Sequence, residues 1–396
     1  MSIVAERKQA YLELREDREK GIVKGIQLGH VFPKLASIIP VLPPGYQMLW
    51  TANSGVGKTQ TWMGIFLYSL YKEKKLKLTN TKTILVITLL EDTKEMFIDR
   101  LYSMMFYELY KIRIDNFSLQ SASQILPKEY IPLLDNVEKE IEFLLGDCEI
   151  IDNVYNPTGL YRWCRSISNK YGTHHNKMKE FIEEDETTHK KTVTTKEVYS
   201  HYETYEKNIQ FLLIVDNLNN LQQESKNGVL LSQLETINTW TRNYCRLQIS
   251  KHFKWCIINI IQQNSDSEKQ QFTQSGKTIL NRIKPSLDGI GNSRESVRDH
   301  YIVFGIFAPD RYAIEKYPDE YGYDISLMRD NFRSLIILKS NLSVSNIEIP
   351  LYFDGGCSLV RELPALGSPK LQQIYNSIRS KNNKNTIQSV LTSKTQ

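Results

Sequence analysis

The sequence lacks any stretch approaching the roughly 18 uncharged apolar residues that a membrane-crossing helix needs, so no membrane span is expected anywhere in its 396 residues. It is also poor in cysteine. Cys148, Cys164, Cys245, Cys256 and Cys357 are odd in number and widely spaced, with no CxxC pair among them. That excludes a disulfide framework and a cysteine zinc site, and it fits a reducing compartment. The opening stretch MSIVAERKQAYLELREDREK is too charged for a secretory leader, and the chain is read as cytoplasmic. Internal repeats are missing. So is any strong charge imbalance: 50 Lys+Arg against 45 Asp+Glu leave +5, weak evidence for a polyanionic partner, so where the charges lie matters more than their sum. With 41% hydrophobic and 24% charged residues, the composition excludes an intrinsically disordered chain. At roughly 150 residues per domain, the length allows two or three domains, or one larger core with arms and insertions.

Residues 2–20 set Ile3, Val4, Ala10, Tyr11, Leu12 and Leu14 among dense charge, which predicts an exposed or partner-docking helix within an N-terminal arm, residues 1–24. A Gly- and Pro-rich approach follows, and the core begins near Gly25. From there apolar runs alternate with helical patterns. QMLW (47–50), TILVITLL (83–90), CEIIDN (148–153), FLLIVDNL (211–218), WCIINIIQ (255–262), YIVFGIFAP (301–309) and SLIILKS (334–340) read as strands. TWMGIFLYSLY, TKEMFIDRLYSMMFYELY and TGLYRWCRSISNKY read as helices between them. This rhythm predicts an α/β core over residues 25–364 with a mostly parallel central sheet flanked by helices. The acidic cluster at 183–186 and the two-residue alternation of TVTTKEVY predict an inserted surface hairpin or a mobile loop at about 174–205. The polar, basic tail at 365–396 is expected to be partly disordered.

Between the run QMLW and the helical TWMGIFLYSLY stand Ala52, Asn53, Ser54, Gly55, Val56, Gly57, Lys58 and Thr59, the phosphate-loop pattern with Ala in place of its first Gly. Strand, loop and helix are the setting that motif requires. Glycines let consecutive backbone N–H groups turn toward one anion, and the helix adds its positive end. Lys58 is then placed to reach the β- and γ-phosphates of ATP, and Thr59 to offer its hydroxyl to Mg2+. A magnesium ion held by one hydroxyl needs a carboxylate at the end of a neighbouring parallel strand, and Asp216, closing FLLIV, is the candidate. Asn217 follows it, so the hydrolytic base is not the adjacent residue. Glu91, directly after TILVITLL with Asp92 next to it, fits that role at the tip of a strand expected beside the phosphate-loop strand. As a first-turn acid it equally suits the start of the next helix.

Gln262 closes WCIINII, where a side-chain amide could sense the γ-phosphate from a third strand or simply end its own. The long polar stretch after it carries Lys277, Arg282, Lys284, Arg294 and Arg298. Cations in a loop at the end of a sheet can track a nucleic-acid backbone, and the scarcity of aromatics here favours phosphate contacts over base stacking; a solvated loop accounts for the same residues.

In their order these parts resemble the motor domain of DnaB-type replicative helicases, from about Gly25 to Pro364. GIQLG…PPGYQMLWTANSGVGKT is similar to that family's linker and first motif, and ILVITLLEDTKEMFIDRLYSM to its strand, acid and Arg-bearing helix. Asp216-Asn217-Leu218 is similar to its Asp-Tyr-Leu motif, Gln262-Gln263-Asn264 to its Gln-Leu-Asn motif, and SRESVRDHYIVFGIFAPDRY to the stretch before its next strand. Only the phosphate loop is highly specific. The resemblance implies a RecA-like P-loop NTPase core with a helical arm and an inserted hairpin, with ATP and Mg2+ as cofactors and Glu91 as the catalytic glutamate. It further implies hydrolysis that drives movement on single-stranded DNA and duplex unwinding during replication, a homo-oligomer closing as a hexameric ring, and primase or loader proteins as partners. Lys339 matches the lysine of a Lys-x-Arg pair that reaches a neighbouring subunit's nucleotide, but Asn341 stands where the arginine is expected, leaving another cation such as Arg333 to serve. That departure keeps open an ATP-regulated DNA-binding or helicase-loading protein with weak hydrolysis, and a RecA-like recombinase is a further alternative. A packaging motor would place an acid after Asp216. The Lys-, Asn- and Tyr-rich composition suits an AT-rich phage or mobile element.

Overall fold

Successive side chains of a strand leave opposite faces, and the uninterrupted apolar runs of this chain mean that both faces are covered. The computed structural model describes residues 2–122, 124–184, 191–264, 280–290 and 294–379. Its central sheet has nine strands: β1 (Gln47–Ala52), β2 (Lys82–Leu89), β3 (Glu149–Ile151), β4 (Ile209–Asp216), β5 (Cys256–Gln262), β6 (Ile302–Phe307), β7 (Phe332–Ser340), β8 (Ile347–Asp354) and β9 (Leu359–Glu362). The spatial order is β9-β8-β7-β6-β1-β5-β4-β2-β3. On β1, Met48, Trp50 and Ala52 enter one core cluster and Leu49 the other; on β4, Leu212 and Ile214 go one way and Phe211, Leu213 and Val215 the other.

Helices Lys94–Tyr110 and Ile131–Leu145 cover the first face, together with a helix that runs from Lys58 to Lys75 through a wide π turn at Met63–Leu67. Helix Pro157–Tyr171 and the continuous Gln233–Asn238 and Thr239–Ser250 segments cover the second. Local signals set their starts: the Thr93 hydroxyl accepts from the Met96 amide, and Ser232 and Glu235 form a reciprocal capping box. The helices at 131–145 and 233–250 were not expected, although Val137, Ile141 and Leu144 follow helical spacing.

Strands β6, β1, β5, β4, β2 and β3 are parallel, as the alternating rhythm predicts. Strand β7 is not: SLIILKS runs antiparallel to β6, and β8 and β9 extend the same meander. The connections at 341–346 and 355–358 are too short for a crossover helix, so the chain must reverse into β8 and again into β9; the connection from β6 to β7, residues 308–331, is long enough for either direction.

The hairpin expected near 174–205 is an antiparallel pair, Gly172–Glu184 with Lys191–Thr204. Its root is held by the Tyr202 hydroxyl donating to the Ser168 carbonyl and by His174 Nε2 against Ser168 Oγ, both at 2.7 Å. The acidic cluster at 183–186 lies outside the described side chains. The arm is a helix, Ile3–Glu19, that buries none of its residues. Within the tail, which was expected to be partly disordered, Pro369–Arg379 is a helix whose Leu371 and Ile374, three residues apart on one face, enter a third core cluster. Residues 380–396 lie outside the description. No described helix is long and apolar enough to cross a membrane.

Candidate nucleotide-binding site

Parallel strands end at one edge of the sheet, and the residues that follow them converge there. From the end of β1 the chain turns through Asn53–Gly57, with Gly55 at φ +68° and Gly57 at φ +90°. Both lie in the left-handed region that favours glycine. At Gly57 space demands it as well, because a Cβ would sit 2.6 Å from the Phe353 ring. The helix then begins at Lys58, itself only 8% exposed.

Residues far away in sequence brace the loop. Arg333 Nε donates to the Val56 carbonyl at 2.9 Å, its guanidinium lies 4.3 Å over the Phe353 ring, and its other nitrogens bond Asp330 and the Phe332 carbonyl. Arg333 is 2% exposed and fully engaged, so it is a support of the loop and does not serve as a mobile finger. Arg311 Nη1 donates to the Ser54 carbonyl, and Asn53 Nδ2 donates to the Tyr312 hydroxyl at 2.8 Å. Arg311 and Tyr312 follow β6, which is parallel to β1 and delivers its C-terminal residues to the same edge.

Asp216 sits behind the loop. Thr59 Oγ1 and Trp62 Nε1 each donate to its Oδ2 at 2.8 Å, and its Oδ1 has no hydrogen-bond partner among the described residues. Thr59 and Trp62 reach one carboxylate because residues three apart share a helix face. Burial pushes the Asp216 carboxyl above the ordinary carboxylate range, and the two donated bonds oppose that rise. A buried carboxylate oxygen without a partner, beside a threonine hydroxyl, is a hard-oxygen donor set that fits Mg2+.

Glu91 reaches this centre by another route than expected. Its strand, β2, does not flank β1; β5 and β4 stand between them. The sequence order of strands does not fix their spatial order, and crossovers carry β5 and β6 to the two sides of β1. The tips still meet: Leu89 pairs with Asp216, and Asn217 Nδ2 donates to Glu91 Oε2 at 3.2 Å. Asp92 is committed to Arg100. Gln262 ends β5, a third strand besides those that carry the loop and Asp216, directly beside β1 and in register with Ala52.

Other candidates are elsewhere. Val303 pairs with Lys339, which places Lys339 beside the start of β6, at the edge opposite its own phosphate loop. Its ammonium donates to the carbonyls of Val297, His300 and Arg298 at 2.9, 2.7 and 3.4 Å. Lys284 is turned inward, bonded to Glu348 at 2.7 Å over the Tyr317 ring. Arg282 is exposed, and Arg298 is exposed beside Glu295 at 3.5 Å. Lys277 and the Arg294 side chain lie outside the described residues. At that opposite edge the sequence reading missed a cation-lined hollow of about 600 Å³, walled by Arg242, Arg246, Lys251, Lys254, Tyr46 and Tyr301. Arg298 adjoins it through Arg242 and Arg246.

No protein-family model and no curated protein matches the sequence. Solved structures do. A DnaB-like replicative helicase, described with its interactions with primase, matches over 90% of this chain and 66% of its own with a TM-score of 0.58 at 14% identity. The ATPase domain of G40P matches over 90% of this chain and 98% of its own with a TM-score of 0.59, also at 14% identity. The chain has the fold of a DnaB-type, RecA-like motor domain. It spans about two thirds of the length of the DnaB-like helicase. On this RecA-like core, the loop after β1, the carboxylate ending β4 and the acid following β2 converge at the carboxyl edge of the parallel strands, where open α/β sheets hold their ligands.

Proposed function

We propose that this protein is a Mg2+-dependent ATPase that moves along single-stranded DNA as a ring-forming oligomer and separates duplex strands during replication. The observation that carries the catalytic part is the cluster of Thr59, Asp216 and Glu91 behind a glycine-rich loop that opens a helix. Lys58 and the loop amides bind the β- and γ-phosphates. Thr59 and Asp216 would hold Mg2+, which when bound offsets charge on those phosphates. Glu91 Oε2 is engaged by Asn217, which leaves Oε1 to take the proton of a water attacking the γ-phosphorus as the bond to the bridging oxygen breaks.

Support for a phosphodiester track comes from the exposed Arg282 and Arg298. The cation-lined hollow next to Arg298 adds to it. Phosphate contacts from such residues are sequence-independent and weaken with salt. Primase is a partner of this reading by analogy with the primase named alongside the DnaB-like structure; loader proteins rest on the sequence resemblance alone. A second reading, an ATP-regulated loading protein with weak hydrolysis, draws on Asn341 and on Lys339 being spent on three carbonyls.

ATP hydrolysis measured with and without single-stranded DNA, with particle mass in ATP, separates the two. DNA-stimulated turnover by a multimer, with unwinding of a forked duplex, is expected of the motor; DNA and ATP binding without unwinding belongs to the loader. Lys58→Ala is expected to abolish hydrolysis with the circular dichroism spectrum unchanged. Glu91→Gln is expected to keep ATP binding and lower turnover by about 100-fold or more. Full activity in either variant moves that role to another residue.

A further inference from the structure

The inserted hairpin carries metal-ligating side chains that the nucleotide site does not use. His175 and His201 stand directly opposite each other on the antiparallel ladder, and their rings stack with centroids 4.6 Å apart and planes within 13°. Opposed residues of such a pair set their Cβ atoms about 4.5–5.5 Å apart on one face, which brings two imidazoles within reach of one ion. Glu203 follows His201 by two residues and so leaves the same face. Its Oε2 lies 3.7 Å from His175 Nε2. One donor atom from each of the three residues lies within 4.8 Å of the other two, and this is the one such His/Cys/Asp/Glu group among the described residues.

Three further features favour an ion over a bare stack of rings. With both imidazoles neutral the cluster carries one negative charge and two nitrogen lone pairs, the complement of a divalent transition metal. Ser200 Oγ lies 3.0 Å from His201 Nδ1, so a proton on Nδ1 can be donated to the hydroxyl, leaving the Nε2 lone pair outward; such outer partners orient metal-bound imidazoles. The ladder shifts register between His175 and Asn176, an irregularity that re-aims the side chain at its edge. Zinc with donors at 2.0–2.1 Å brings them to roughly 3.3 Å from one another. His175 is half-buried and the other two are exposed, so side-chain rotation alone closes the remaining gap.

We propose that His175, His201 and Glu203 bind one divalent transition-metal ion, zinc by its donor set, with solvent in the fourth position, and that the ion staples the two strands at the root of the hairpin. The inward neighbours His174 and Tyr202 fix the opposite face to Ser168. The second strand then runs through Thr204 toward β4 and Asp216.

The test uses the full chain, stripped with a chelator and titrated with Zn2+ against a chromophoric competitor, with Co2+ absorption as a second probe. One equivalent per chain is expected at micromolar affinity or tighter, undisturbed by excess Mg2+, with visible Co2+ bands of four-coordinate intensity. His175→Ala and His201→Ala should each lower affinity at least tenfold, and Ser200→Ala about tenfold. Lys58→Ala should leave the titration unchanged, which separates this site from the nucleotide site. Absence of stoichiometric binding by the wild type, or wild-type affinity in the His175→Ala/His201→Ala double variant, would overturn the proposal.

Discussion

Burial raises the affinity of Asp216 for its proton against the hydrogen bonds from Trp62 and Thr59, and the nearby charges of Asp92 and Glu91 add to the rise. A carboxyl whose folded pKa exceeds its unfolded value stabilises the fold while protonated, and that contribution is lost as pH rises from the unfolded through the folded value. Above the folded value, the ionised group therefore costs stability that a bound cation can offset. Asp216→Asn removes the charge and keeps a carbonyl oxygen for Trp62. The expected outcome at pH 8 without ligand is a thermal midpoint equal to or above that of the wild type, together with a fall in ATP hydrolysis on the order of 100-fold. A clear drop in the midpoint would mean that the ionised carboxylate is a net stabiliser. At this scale Lys58, Thr59 and Asp216 are legible in the sequence, because a contiguous motif and a strand end name them. Arg311 and Arg333 are not. They brace the loop across 257 and 277 residues of chain, and only the placement of β6 and β7 near β1 brings them back.

The phosphate loop works as an element because its conformation is fixed from below as well as along the chain. Phe353, on β8, fills the space under Gly57 and is itself covered by Arg333. Gly57→Ala forces a Cβ into left-handed backbone, which costs about 1–2 kcal/mol, and drives it against the ring, for a total loss of about 2–4 kcal/mol in urea unfolding. Phe353→Ala alone costs about 3–5 kcal/mol through the cavity it leaves. Because the smaller side chain frees the space that the new methyl needs, the double variant is expected to lose less than the sum by about 1 kcal/mol or more. Strict additivity would show that the ring yields and the strain is all backbone. The strand-and-helix rhythm reveals the parallel half of the sheet, where long crossovers separate apolar runs. It does not reveal that β2 stands three places from β1, since strand order is set by packing between helices that the local pattern does not encode. The β7–β9 meander escapes for a related reason: apolar content is silent about direction, and although short connections reverse β8 and β9, the long connection at 308–331 leaves the direction of β7 open to the sequence.

The whole molecule has an acid-sensitive joint at the edge opposite the phosphate loop. His300 is buried, its Nδ1 donates to the Ser296 carbonyl, and its Nε2 accepts from Asn259 Nδ2 at 3.0 Å. Burial holds its pKa down, from 6.5 to about 3, partly opposed by the bond to Ser296. Since the unfolded chain takes up the proton first, stability is full above about pH 6.5 and falls through the interval down to about 3. The slope from this one group is about 1.4 kcal/mol per pH unit. Urea unfolding between pH 7 and 4 should show it, and His300→Gln should flatten the profile by that slope while lowering stability at pH 7. An unchanged profile would assign acid loss to other groups.

The arm poses the remaining question at this scale. Ile3–Glu19 is a 17-residue helix with no buried residue, and Ile3, Val4, Tyr11, Leu12 and Leu14 are 81, 75, 59, 46 and 46% exposed. An isolated helix of that length is marginal in water, and the described residues leave its apolar positions uncovered. It is tethered at one end: the Asn80 amide donates to the Gly21 carbonyl at 2.8 Å, and the Val23 amide to Thr81 Oγ1 at 2.9 Å. A tethered helix that docks on the next copy makes a head-to-tail contact, which closes into a ring or runs on as a filament. Deleting residues 2–20 should therefore reduce the assembly formed in ATP from a multiple of 46.1 kDa to a single chain by light scattering, with the circular dichroism of the core retained. ATP binding by the isolated core should survive, because no residue of the arm touches the phosphate loop in the hydrogen bonds and ion pairs described. A truncated protein that keeps the full multimer mass would remove the arm from assembly and leave the opposite-edge hollow, with Arg242, Arg246 and Lys254, as the surface to test next.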